Sequence, residues 1–179
     1  MGEEELIKGC INEDKACQYE LYKLYAGKMM VVCLRYARNT QEAEDILQEG
    51  FVKVYDNISR FRFTGSFEGW IRRIMVNTAL KNFRRSSFKN EQVGIAEDYD
   101  MPEEAHIIDR LGEKDLLGMI ESLPEGYRVV FNLYAIEGFS HKEIADLLGI
   151  NEGTSRSQLV KARKLLQKKI YMRETVMNA

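Results

Sequence analysis

Aromatic and basic side chains interleave in the run RFRFTGSFEGWIRR, residues 60–73. Rings can stack on unpaired bases while cations hold a phosphate backbone. Phe61, Arg62, Phe63, Thr64 and Phe67 supply that mixture, and Arg72, Arg73 and Lys81 add wet cations further along. Asn77, polar among apolar neighbours, either faces a base or satisfies a backbone group. Trp70 belongs to the same run, but its helical spacing places it in a core. The second segment that could do chemistry is GTSRSQLVKARK, residues 153–164. Arginine can read guanine with two hydrogen bonds, Ser, Thr and Lys can reach bases or phosphates, and Val can touch a thymine methyl. Gly153, Thr154, Arg156, Ser157, Val160, Lys161 and Lys164 are the candidates there. Catalytic chemistry has less to work with. His106 and His141 stand apart, with His141 expected to be exposed, and no Ser/His/Asp or metal-ligand cluster stands out. Cys10, Cys17 and Cys33 form no C-x-x-C pair, and the seven-residue spacing of the first two fits buried small side chains. No catalytic residue, metal or cofactor is expected.

Charge sorts the same two segments from the rest. The formal net charge is only −2. Residues 60–89 nevertheless carry 8 basic side chains against the single acid Glu68, and residues 156–173 carry 7 bases and no acid. Two compact basic blocks inside an acidic remainder are an electrostatic footprint for phosphate, whatever the total.

The elements that must hold these segments read as helices. Only Pro102 and Pro124 interrupt the 179 residues, and 45% are hydrophobic, so the chain is a folded, all-α protein. No apolar run approaches the ~20 residues of a membrane span, and MGEEELIKG is too acidic for a signal peptide, so membrane insertion is not expected and the cytoplasm is the default. Residues 3–36 show three- and four-residue apolar steps in one or two helices. A further helix spans 41–58, with Thr40 as its expected N-cap and Ala43, Ile46, Leu47, Gly50, Phe51, Val54, Tyr55 and Ile58 as its apolar stripe. Asp45, Gln48 and Glu49 point mostly away from that stripe. Residues 60–67 read as a loop, followed by a helix whose core side is Trp70, Ile71, Ile74, Met75, Thr78 and Phe83.

The acidic, Pro102-containing stretch then loses periodicity, which defines two small helical domains joined by a flexible acidic linker: 1–88, a linker over 89–106, and 107–179. Taking residues 90–105 as free chain, the reach is on the order of 50 Å. Helical spacing restarts at Ile107, Ile108 and Leu111, Pro124 opens another helix and Gly138 ends it. Ser140 and Glu143 match the capping box S-x-x-E, Gly149 suits a left-handed turn, and Asn151 can cap the next helix. This is a helix-turn-helix, whose second helix enters the major groove. A regulator that binds duplex DNA by itself is one function consistent with it.

Four blocks in order carry a more specific resemblance: EAEDILQEGFVKVY (42–55), FTGSFEGWIRRIMVNTALKNFRR (63–85), SLPEGYRVVFNLYAIEGFSHKEIADLLGI (122–150) and GTSRSQLVKARKLL (153–166). With them the chain resembles bacterial sigma factors of the extracytoplasmic-function (ECF) group from about Glu4 to Lys169. The resemblance implies a protein that binds core RNA polymerase, directs it to promoter DNA and helps open it, with no catalytic centre of its own. It implies polymerase docking through Asp45, Gln48 and Glu49. It implies capture of flipped −10 bases by the loop Phe61–Phe67 and Asn77, and reading of the −35 element by Arg156, Ser157, Gln158 and Lys161. The family is often held inactive by an anti-sigma factor, a further partner to expect. Two positions depart from the family. Ser155 stands where an apolar residue is usual, and FTGSFEGW replaces a more charged loop.

Overall fold

The computed structural model describes residues 2–87 and 112–177. The chain divides into two compact units, Met1–Lys89 and Asn90–Ala179. The expected linker, His106, and the restart at Ile107, Ile108 and Leu111 lie outside the described residues. Every regular element among those described is helical.

The first unit contains α1 (Glu3–Ile11), α2 (Lys15–Tyr36), α3 (Thr40–Asn57), a 3-10 turn (Ile58–Arg60) and α4 (Phe67–Ser87). The break between α1 and α2 is local. Glu13 takes a left-handed φ of 60°, and the Asp14 carboxylate caps α2 by accepting from the backbone N–H of Ala16 and Cys17. The hydroxyl of Tyr25 donates to the Glu3 carboxylate, tying α1 back to α2. The N-cap of α3 is Asn39, one residue before the expected Thr40; its side chain accepts from the Glu42 N–H at 2.8 Å. Asn is at least as good an acceptor there as Thr, so Thr40 becomes the first helical residue.

Helices α2, α3 and α4 pack on one another around Leu21, Met29, Ile46, Val54, Ile71 and Met75, all buried. Gly50 faces Met75, where a side chain on α3 would collide with the thioether. The stripe expected on α3 is buried except for half-buried Tyr55. On α4 the buried side is Ile71, Met75, Val76, Thr78, Ala79 and Leu80, whereas Ile74 and Phe83 are half-buried. Cys10, Cys17 and Cys33 are buried free thiols. Burial pushes the Cys10 thiol up to about 11 and Cys33 up to about 12, so neither is a ready nucleophile.

The second unit contains α5 (Glu113–Glu121), α6 (Glu125–Phe131), a wide π turn (Asn132–Ile136), α7 (His141–Leu148) and α8 (Glu152–Met177). Pro124 precedes α6, where its missing N–H costs nothing. A plain helix was expected to run on to Gly138. Instead Glu137 N donates five residues back to Asn132 O, which widens the turn before Gly138 leaves it at φ 76°. Ile120, Leu123, Tyr127, Ala162 and Leu166 form a core, with Val129, Leu133 and Ile144 also buried.

Ser140 caps α7 through the full capping box, its hydroxyl accepting from Glu143 N while the Glu143 carboxylate accepts from Ser140 N at 2.8 Å. Gly149 turns left-handed at φ 68°, and Asn151 Oδ1 accepts from Thr154 N at 2.7 Å to start α8.

Candidate nucleic-acid interface

In the first unit the loop between the 3-10 turn and α4 carries an aromatic ladder running from core to solvent. Tyr25 meets Phe67 edge-on at 5.7 Å, Phe67 meets Phe61 at 4.9 Å, and Phe61 meets Phe63 at 5.0 Å. The ladder corrects one expected base-contacting residue. Phe67 is 1% exposed, because as the first residue of α4 it turns inward onto Tyr25 and α2. Its ring cannot reach a base. Phe63 ends the ladder on the outside, 47% exposed, on a left-handed backbone of φ 54°. Trp70, expected in the core, is half-buried. One face stacks on Phe67 at 5.5 Å and 19°, and the residue also lines an open groove.

That groove lies between α3 and α4, with Asn77, Asn57, Arg60, Lys53, Trp70 and Ile74 on its walls and a volume of about 330 Å³. This is at the lower end of small-ligand sites, roughly 300–1,000 Å³. Asn77 is exposed there, as are Arg62, Thr64, Arg73 and Lys81 around it, while Arg72 is half-buried. The sequence reading missed Lys53, Asn57 and Arg60. They come from the end of α3 and the 3-10 turn, and nothing in the local pattern pairs them with α4; only the basic block points to Arg60. Asn57 Nδ2 donates to Lys53 O at 2.9 Å, and Lys53 Nζ donates to Thr78 Oγ1 at 3.0 Å, so the groove wall is preorganised.

Beside it, α3 presents Asp45 and Gln48 to solvent. Glu49 is half-buried and its carboxylate is engaged, 2.8 Å from Lys53 Nζ and 3.8 Å from Lys81 Nζ.

In the second unit α8 follows the capped turn and exposes Gly153, Arg156, Ser157, Val160, Lys161 and Lys164. Arg156 Nη2 is 2.8 Å from Glu152 Oε2 one turn earlier. Thr154 is half-buried, its hydroxyl donating to Asn151 Oδ1 at 3.0 Å. Gln158 departs from the exposed set. It is half-buried, with its Oε1 enclosed beside Gly126 of α6. Ser155 is buried, and the partner of its hydroxyl is His141 Nδ1 at 2.8 Å. His141, expected to be exposed, is half-buried and stacked on Tyr134.

Residues 21–88 match the family described as Sigma-70 region 2, and residues 113–166 match Sigma-70, region 4. The RNA polymerase sigma-H factor of Pseudomonas aeruginosa is 30% identical over 179 residues, which cover 93% of this chain and 92% of that protein. The ECF RNA polymerase sigma-E factor of Haemophilus influenzae is 30% identical over 182 residues, covering 94% and 95%.

This chain belongs to the ECF RNA polymerase sigma factors.

It is also 34% identical over 155 residues to the ECF RNA polymerase sigma factor SigE of Mycolicibacterium smegmatis, but spans only 59% of that protein's length. The structure of CnrH, solved in complex with the cytosolic domain of CnrY, aligns over 93% of this sigma factor with a TM-score of 0.49 and 19% identity. Sigma factors are promoter-recognising initiation factors that act with RNA polymerase and are not enzymes. Among the described residues, no helix of this sigma factor is long and apolar enough to cross a membrane.

Proposed function

We propose that this sigma factor divides polymerase docking, −10 capture and −35 reading among the exposed faces described above, and that it works in the cytoplasm. The domain of residues 1–88 docks core polymerase through Asp45, Gln48 and Glu49. It captures melted −10 bases with Phe61, Arg62, Phe63, Thr64 and Asn77, while Arg72, Arg73 and Lys81 hold the backbone. The domain of residues 107–179 reads duplex −35 DNA with Gly153, Thr154, Arg156, Ser157, Val160, Lys161 and Lys164. Gln158 supports α8 against α6 instead.

The observation that supports this reading most is the segregation of charge on exposed faces: acids on α3, cations on the α4 and α8 surfaces. The acidic face is repelled by DNA and suits a basic protein surface, whereas the cationic faces suit phosphate. Unpairing bases costs a few kcal/mol, which stacking at ~1–3 kcal/mol per captured base can offset. Two modest DNA contacts on one tether raise each other's effective concentration when both are reachable. An anti-sigma factor, the family's common regulator, would act by covering these same faces.

Run-off transcription with core polymerase tests the reading. Promoter-dependent initiation is expected, and is lost when Asp45→Lys and Glu49→Lys abolish polymerase pull-down. Sequence-specific DNA binding that never recruits polymerase would instead favour a stand-alone regulator.

A further inference from the structure

Three elements of the second unit meet in one polar and aromatic stack: the π turn, the start of α7 and the first turn of α8. His141 opens α7, and its Nδ1 lies 2.8 Å from the Oγ of Ser155. Ser155 is 0% exposed, so an unpaired hydroxyl there would bear its full desolvation cost. The other contact of the imidazole is Tyr134, stacked at 4.6 Å and 20°. The Arg163 guanidinium lies over the same Tyr134 ring at 5.7 Å. Beside the apolar packing of Leu159, Ala162 and Leu166, helix α8 takes two further contacts, directly at Ser155 and through Tyr134 at exposed Arg163. These lie two turns apart, about 12 Å along the axis. Added to that packing, two contacts spaced along a rigid helix trim its remaining freedom of tilt more than one would. Arg156, Ser157, Val160 and Lys161 fall between them.

We propose that His141 is a positioning residue for promoter reading, its bond to Ser155 and its stack on Tyr134 setting the angle at which α8 presents Arg156 to DNA. This rests on the −35 reading of α8 proposed above. It also accounts for a hydroxyl at 155, a position where the family usually places an apolar side chain: the hydroxyl is there because a polar partner reaches it from α7.

The groups facing His141 are Arg156, Arg163 and Glu152 from α8 and the Tyr134 ring from the π turn. Burial first, then Arg156 and Arg163, hold the imidazole below its ordinary 6.5, with Glu152 opposing them. At neutral pH the ring is uncharged, and with its proton on Nε2 it accepts from the Ser155 hydroxyl. Protonation makes Nδ1 a donor, reverses that bond and sets a third cation beside two guanidinium groups. As pH falls below 6.5 the unfolded chain takes up this proton first. Stability therefore declines down to the lower folded-state value and levels off beneath it.

The test uses the full chain assembled with core polymerase and a duplex library randomised across the −35 window. The readout is discrimination, the enrichment of the best selected sequence over a scrambled one. His141→Phe keeps a stacking ring and loses the bond; Ser155→Ala loses the hydroxyl. Each is expected to lower discrimination about tenfold, and the double variant no further, as contacting partners do. His141→Gln, which offers an amide to the same hydroxyl but no ring to Tyr134, recovers the part of the loss that the bond carries. Discrimination by the unmodified protein is level from about pH 7.5 to 6.5 and falls as the pH is taken below 6.5 until the folded imidazole protonates, while His141→Phe is flat over the same titration. Full discrimination by His141→Phe, additive losses in the double variant, or an unmodified profile as flat as the variant's would each overturn the proposal. Arg156→Ala separates the layers. If it loses discrimination and His141→Phe does not, positioning alone is refuted; if it loses none, the −35 reading of α8 fails and the proposal with it.

Discussion

Glu49 of α3 and Lys81 of α4 form an ion pair across the interface of the two helices, Oε1 to Nζ 3.8 Å, while the same oxygen lies 2.8 Å from Lys53 Nζ. A residue proposed for polymerase docking thus neutralises cations on the proposed −10 surface. Such partly exposed pairs contribute ~0–1 kcal/mol to stability, so the consequence is for binding rather than folding. In the free protein the Glu49 carboxylate competes with phosphate for Lys81; if polymerase engages Glu49 as proposed, that competition is relieved. Glu49→Gln is expected to raise the free chain's affinity for an unpaired oligonucleotide several-fold at low salt, while weakening polymerase association. Fluorescence anisotropy across a salt series measures it. Lys81→Ala should flatten the log–log salt slope by about 0.7, one phosphate contact on a single strand. Unchanged affinity in Glu49→Gln would show that the pair does not compete with DNA.

Phe67 and Phe63 lie four residues apart and face opposite ways, one buried and one exposed. Phe67→Ala removes a ring packed on Tyr25, Phe61 and Trp70, which should cost ~3–5 kcal/mol and lower the unfolding temperature of the first unit. Phe63→Ala should leave unfolding nearly unmoved and weaken capture of an unpaired −10 strand by ~1–3 kcal/mol. Thermal scans and oligonucleotide titrations of both variants decide the matter. A stable Phe67→Ala with reduced strand binding would return Phe67 to the DNA surface.

These two phenylalanines also mark how far the sequence could be read. Short-range signals were legible: the Ser140–Glu143 box spans four residues, and the α3 stripe repeats with the helical period, so both could be found without tertiary information. The direction of an aromatic at a loop–helix junction depends on where the first helical turn begins, and a shift of one residue turns the ring by about 100°. The sequence pattern therefore points Phe67 outward, whereas the first turn of α4 buries it. Ser155 falls in register with buried Leu159, Ala162 and Leu166, which marks it as inward-facing, but its partner His141 lies fourteen positions away on another helix. The groove has the same character. Asn77 stands out as a polar residue among apolar neighbours, whereas Asn57 and Arg60 join it only through the packing of α3 on α4.

Two glycines offer a test of packing with opposite signs. A Cβ on Gly9 would lie 2.8 Å from Cys17 Cβ, where α1 crosses α2, and Cys17 is buried with a short, stiff side chain. Gly9→Ala should destabilise the first unit by ~1–3 kcal/mol through overpacking. Gly27, inside α2, has nothing within 4 Å of an added Cβ. Gly27→Ala should stabilise by about 0.5–1 kcal/mol, since it reduces only the freedom of the unfolded chain. Urea unfolding of the two variants is expected to move the midpoint in opposite directions. A shift in the same direction would contradict the close crossing at Gly9.

Arg156 is held by Glu152 at 2.8 Å, with both side chains largely in solvent. Two substitutions separate what each contributes. Arg156→Ala should cost ~1–3 kcal/mol on a matched −35 duplex and little on a scrambled one if the guanidinium reads a base; an equal loss on both would make it a phosphate contact. Glu152 occupies the first turn of α8, where a carboxylate favours the helix dipole by about 0.3–1 kcal/mol. The same carboxylate repels an approaching phosphate backbone and draws the guanidinium back along the helix. Glu152→Gln is therefore expected to lower the unfolding temperature slightly while tightening holoenzyme binding to matched and scrambled duplexes alike. Tighter binding confined to the matched duplex would mean that Glu152 takes part in base selection rather than screening charge.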